Sequence, residues 1–459
     1  MVSHTDDHPL PASAAQRFGG LRSAASRQLA NPLSRGGLAL LVNTGLTAVL
    51  GFAYWVIAAR LFSTYAVGVA GALVAATTLF SGLGQLNLSG MLMRFLPRAE
   101  GKSRRLVLLT YAYAASVSTL LAALSLAGIR YFASPRSPLR LDELQAAFFV
   151  LAVAATAVFT IQDSVLIAVR KAVWVPVENG SFGAAKIATL FLLAPLGTAF
   201  ALFGAWMIPL TMTIPVISAA LFYRFLPKAS GPRRATLLGR RTRSRIIRFT
   251  AGDATGGLFT QAWTYLPPVI IASTLGASVN ALYYISFLFS STIDQIAANF
   301  SSPLTVEGAH APEEIAKLIR STLRHIYAII LPTVIVLLIT CPWLVRAFGD
   351  KYAGAVPSMR LLLIACLPKA ISIVYYAYCR VQRTTHRSAI VQAYVCVTTL
   401  LAILLLAHRF KLVGVCLAIV AVQTTAAGAS GLALRRELRI AKYGDNRQGR
   451  HRRRRGMPA

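Results

Sequence analysis

Apolar residues run along this chain in blocks of about 20, the length at which a helix crosses a bilayer core, and basic residues gather at the block ends. The blocks predict spans near 36–59, 67–90, 106–128, 144–169, 174–196 and 199–222. They predict a second set near 247–273, 279–300, 326–348, 358–379, 387–407 and 412–434. The fifth and sixth spans run together around Pro195 and Gly197, where a single re-entrant pair is the competing reading. The expected fold is all-α and polytopic, with about 12 transmembrane helices in two six-helix bundles around a central cavity.

Between the two sets lies 223–248, with nine Lys and Arg and no acid. It divides the chain into a basic arm (1–35), a first bundle (36–222), this basic linker (223–248), a second bundle (249–434) and a basic tail (435–459). With the amino terminus inside, the inward segments hold about 36 Lys and Arg against about 8 in the outward loops. Both termini are therefore expected in the cytoplasm of a multi-pass protein of the inner (cytoplasmic) membrane. An even number of spans per half lets the halves share one orientation, as parallel repeats do. A short echo agrees: Ile57-Ala58-Ala59-Arg60-Leu61-Phe62 closes the first span and Ile271-Ala272-Ser273-Thr274-Leu275-Gly276 the seventh.

Composition narrows the chemistry. Across 459 residues, 56% are hydrophobic and only 14% charged, outside the range of soluble globular domains. The net charge of +32 would suit nucleic acid, but the charges cluster where they face headgroups, so anionic lipids are the expected partner and nucleic acid is not. The first 35 residues are polar and do not read as a cleavable signal peptide. The five cysteines sit in or at the ends of apolar spans without metal-type spacing, and they read as small core residues; no metal or cofactor is expected. The outward loops are short, the longest being 129–143, which leaves no region for an enzyme's acid, base or metal ligands. Inside, 311–326 reads as an amphipathic helix opened by Pro312, Glu313 and Glu314 and leading into the ninth span.

Ionisable residues at depth are few. Lys186 lies mid-span in the fifth helix and Lys369 in the tenth. Each is about ten residues, or about 15 Å, from either interface, beyond comfortable snorkelling reach. Asp163, Asp253 and Asp294 lie toward the cytoplasmic half of the fourth, seventh and eighth spans. All three are candidates for ion coupling; Asp163 or Asp294 could instead neutralise a lysine, and Asp253, among the small residues of FTAGDATGG, could face a neighbouring helix. Glu178 reads as a cap at the start of the fifth span. Arg60 and Arg94 close the first span outside and the second inside. Pro267-Pro268 above Gly256-Gly257 should break the seventh span, Pro209 and Pro215 the sixth, and Pro368 the tenth.

Two stretches carry a family likeness. AARLFSTYAVGVAGALVAATTLFSGLGQLNLSGMLMRFLP, residues 58–97, resembles the start of the Wzx-type polysaccharide flippases of the multidrug/oligosaccharidyl-lipid/polysaccharide exporter superfamily. FGDKYAGAVPSMRLLLIACLP, residues 348–368, looks like that family's outward loop and tenth span. The resemblance implies two bundles facing a cationic cavity that opens alternately inward and outward. Its expected cargo is an isoprenoid-diphosphate-linked oligosaccharide for cell-surface polysaccharide, with glycosyltransferases and a polymerase of the same pathway as partners. Arg94 stands where the family often has a basic residue. Lys186, Lys369, Arg94 and Arg60 are the expected substrate-binding residues, the two lysines on depth alone. A lipid II flippase and a cation-coupled multidrug exporter of the same superfamily are the competing functions; mid-depth lysines disfavour the second.

Overall fold

The computed structural model describes residues 32–85, 88–99, 102–132, 137–226, 240–310 and 314–454. Those residues form helices and no strand. The first bundle comprises α1 (Pro32–Leu61), α2 (Thr64–Gln85), α3 (Leu88–Phe95), α4 (Ser103–Phe132), α5 (Glu143–Ala168), α6 (Trp174–Leu193) and α7 (Ala199–Ala220). The second comprises α8 (Arg240–Thr274), α9 (Ala277–His310), α10 (Ile315–Phe348), α11 (Val356–Val381) and α12 (Thr385–Arg454). The last of these turns at Lys411, where φ is 51°, into two limbs. Eight of the twelve are long and apolar enough to cross a membrane.

Local chemistry sets the corners. Asp142 caps α5 by accepting from the Gln145 N–H at 2.8 Å, and the Gln145 side chain accepts in return from the Asp142 N–H. After α6 a short 3-10 turn ends at Gly197, whose φ of 62° suits a residue without a Cβ, and Thr198 then caps α7. The fifth and sixth spans are therefore two helices joined by a tight turn. Gly276, at φ 96°, makes the corresponding corner between α8 and α9. That corner and the one after Leu61 occupy the same place in the two halves, where the sequence echo lies.

The prolines behave differently from expectation. Helix α8 continues through Pro267-Pro268, α7 through Pro209 and Pro215, and α11 through Pro368. In a packed bundle, neighbours supply the donors that proline removes. The amphipathic stretch before the ninth span is continuous with it as α10, with Ile319 and Ile326 buried and Lys317 exposed beside Glu314; Pro312 and Glu313 lie outside the described residues.

Helix α2 is the seam of the molecule. It packs on α4, α5 and α7 of its own bundle and on α8 and α9 of the other. It is buried on most sides, and among its buried residues Ala66, Gly68, Ala70, Gly71, Ala72, Ala75 and Ala76 are small enough to let helices approach closely. Asn280 donates its side-chain amide to the Gly68 carbonyl at 2.7 Å, and the Gly71 backbone lies against the Tyr284 ring. A Cβ at Gly68 would collide with the Ala277 carbonyl. Gly68→Val is thus expected to wedge α2 off α9, an overpacking cost of about 1–3 kcal/mol, measured as a lower unfolding midpoint of the purified protein.

Two cations complete this seam at the end remote from the start of α1. Arg60, the last charged residue of α1, donates to the Ala347 and Arg346 carbonyls at the end of α10, at 2.9 and 3.2 Å. Lys351, just past α10, donates to the Phe62 carbonyl after α1 at 2.6 Å. Each bundle caps a helix C-terminus of the other, and positive charge is favourable at both sites because the helix dipole ends there are negative.

Candidate functional site

The mid-depth charges gather in three places, and in none of them do Lys186 and Lys369 meet. Lys186 is 4% exposed. Its ammonium lies 3.8 Å from the ring centre of Trp206 on α7, 5.2 Å from Phe182 one turn earlier on α6, and 5.4 Å from Tyr54 on α1. Tyr54 is held by its own hydroxyl, which donates to the Leu202 carbonyl at 2.8 Å, and its ring meets Trp206 edge-on. No carboxylate lies within ion-pair distance of Lys186 among the described residues. The ammonium is stabilised by π faces alone, worth about 0.5–2 kcal/mol, against a desolvation cost of several kcal/mol.

Lys369 has a different setting. On α11 it pairs with Asp294 of α9 at 2.5 Å and stacks 4.1 Å from the ring centre of Trp263 on α8. Around the pair is a hollow lined also by Tyr283, Ser290 and Gln423. It lies wholly within the second bundle. The cationic cavity facing both bundles that the resemblance implies is not where these two lysines lie: each is enclosed by its own bundle, and Asp294, one of the two aspartates expected to be able to neutralise a lysine, pairs with Lys369.

The third place is acidic. Asp163 on α5 accepts from the Asn179 amide of α6 through both oxygens, at 3.2 Å each. Beside Asn179, Glu178 is completely buried, and neither of its carboxylate oxygens has a hydrogen-bond partner among the described residues. It lies within electrostatic reach of Asp163 and Tyr111. Glu178 was expected as a helix cap; instead it is buried, on the side of α6 that also buries Val175 and Asn179, while Trp174 and Val177 on the other side are exposed. A buried carboxylate without donors holds a proton or a small cation. The polar run Glu178-Asn179-Gly180-Ser181 inside an apolar span was the available signal.

The remaining candidates disperse. Arg60 is in the interbundle caps. Arg94 is exposed in the last turn of α3, its guanidinium 5.8 Å from the Phe95 ring centre. Asp253 lies in the first half of α8, with its side chain outside the described residues.

No protein-family model matches the chain, and no curated protein does. Solved structures do. A transporter of the MOP superfamily from Pyrococcus furiosus, described as having a binding pocket of reverse polarity, aligns with a TM-score of 0.65 over 90% of this chain and 96% of its own, at 16% identity. The outward-facing form of a multidrug-resistance MATE family transporter of that superfamily aligns with a TM-score of 0.63 at 14% identity, over 90% and 96% of the two chains. An inward-facing form gives 0.60 at 15%, over 91% and 98%. The chain has the MATE fold. On that fold, the two lysines occupy one bundle each, and the acidic pair Asp163 and Glu178 shares the first bundle with Lys186.

Proposed function

We propose that this protein is a flippase that carries isoprenoid-diphosphate-linked oligosaccharide across the cytoplasmic membrane by alternating access, with both termini in the cytoplasm. The observation that carries this reading is the presence, in a MATE-fold bundle pair, of two mid-span ammonium groups, Lys186 buried with no carboxylate partner among the described residues and Lys369 half-buried. A diphosphate requires cationic donors sheltered from water, and no covalent step. The basic linker and tail suit an anionic inner leaflet. A second reading, a cation-coupled multidrug exporter, is favoured by the buried Glu178 beside Asp163. Proteoliposomes decide between them: the flippase moves a fluorescent short-chain isoprenoid-diphosphate oligosaccharide from one leaflet to the other, and the exporter moves an organic cation instead.

The carboxylates serve as the coupling element under either reading. Glu178→Gln is expected to leave the unfolding midpoint equal to or above that of the parent, since an unpartnered buried carboxylate costs about 1–3 kcal/mol or more. The same change should abolish the response of transport to an imposed proton or sodium gradient. A variant with full gradient response would exclude Glu178 from coupling.

A further inference from the structure

The hollow inside the second bundle is built around an ion pair that leaves its other valences open. Lys369 Nζ meets Asp294 Oδ2, and the two side chains keep 15% and 22% of their surface, so the pair is reached from the hollow. Asp294 Oδ1 and Gln423 Nε2 are both buried and make no hydrogen bond of ordinary geometry among the described residues; the Cys366 thiol is the other polar group beside the carboxylate. A bridge serving only to tie α9 to α11 would be expected to satisfy those atoms, because an unmet buried polar atom carries its full desolvation cost. Without the carboxylate, the same wall offers donors in the ammonium and the Gln423 amide, with Thr264 also in the lining. That is a donor set an oxyanion takes, and Asp294 already holds one member of it, the Lys369 ammonium.

We propose that Asp294 is a resident counter-ion, which occupies Lys369 while the carrier is empty and is displaced from it by a phosphoryl oxygen of the cargo. Asp294 thereby becomes a specificity determinant: a neutral or cationic molecule has nothing to exchange for it, whereas an anion does. It also limits affinity, since the bound anion and the displaced carboxylate repel each other, and this repulsion favours release. The identity of the cargo rests on the flippase reading; the exchange at Lys369 does not.

The full-length protein in nanodiscs, titrated calorimetrically with inorganic pyrophosphate, tests the exchange. Asp294→Asn is expected to bind pyrophosphate about tenfold or more tightly than the parent, and Asp294→Asn with Lys369→Gln is expected to lose that gain. Equal affinity in Asp294→Asn and parent, with both folded by thermal unfolding, would overturn the proposal, as would a gain that survives removal of Lys369. The exchanged pair, Asp294→Lys with Lys369→Asp, keeps a salt bridge and covers the event that Asp294→Asn does not fold. It is expected neither to bind pyrophosphate nor to transport, and recovery of transport in it would make the pair a tether and nothing more. If Asp294→Asn tightens pyrophosphate binding but the parent moves no isoprenoid-diphosphate sugar, the counter-ion stands and the flippase reading falls. If the parent moves the sugar and Asp294→Asn gains nothing, the counter-ion alone falls.

Discussion

Lys186→Ala is expected to abolish delivery of lipid-linked sugar while the protein remains folded in the membrane. Lys186→Met isolates the charge from the volume, because its unbranched side chain fills much of the space among Tyr54, Phe182 and Trp206. An ammonium held only by aromatic faces is under-compensated, so replacing it with an apolar side chain should be neutral or stabilising by about 1–4 kcal/mol. Transport, in contrast, should drop by about tenfold at least, the equivalent of about 1.4 kcal/mol in the barrier. Measured together in proteoliposomes and by thermal unfolding, a stable protein that no longer carries cargo supports a role for the charge. Unchanged transport by a stable Lys186→Met variant would remove Lys186 from the site.

The contrast between the two lysines bears on how far a sequence of this kind can be read. The helices were legible, since bilayer thickness imposes a block length and nothing in the fold can override it. So was the depth of Lys186 and Lys369, which follows from counting residues. Their partners were not. Asp294 and Lys369 are 75 residues apart in the chain, and only the packing of α9 on α11 brings them together. Phe182, one turn from Lys186, was within reach of helical spacing; Tyr54 and Trp206 come from other helices. Proline was misread for the same reason. The expected breaks follow from local rules, whereas packing within the bundle keeps α8 helical through Pro267-Pro268. Glu178 was placed at a surface because it opens a span; it lies instead on the inward side of α6, while Trp174 and Val177 keep the other side exposed.

Removing both interbundle cations is expected to open the end of the molecule that they close. Arg60 and Lys351 differ from an ordinary salt bridge in that each donates to main-chain carbonyls, which cannot be titrated and which remain in place whatever the side chains around them. Arg60→Ala with Lys351→Ala leaves carbonyls at the ends of α1 and α10 without their partners from the opposite bundle, so the closed arrangement loses contacts that an open one never had. Both side chains are exposed, and their loss creates no cavity. The rest of the seam, Asn280 on Gly68 and the small-residue face of α2, persists in the variant and keeps the closed form populated. Spin labels on the loops after α1 and α10 should therefore report two distance populations in the double variant, with the longer enriched about tenfold over the parent, a shift of about 1.4 kcal/mol. Each single variant should fall between, because the two caps act on the same opening. A double variant with the parent's distance distribution would mean that the helix α2 seam alone holds the bundles together, and that Arg60 and Lys351 follow the closure without contributing to it.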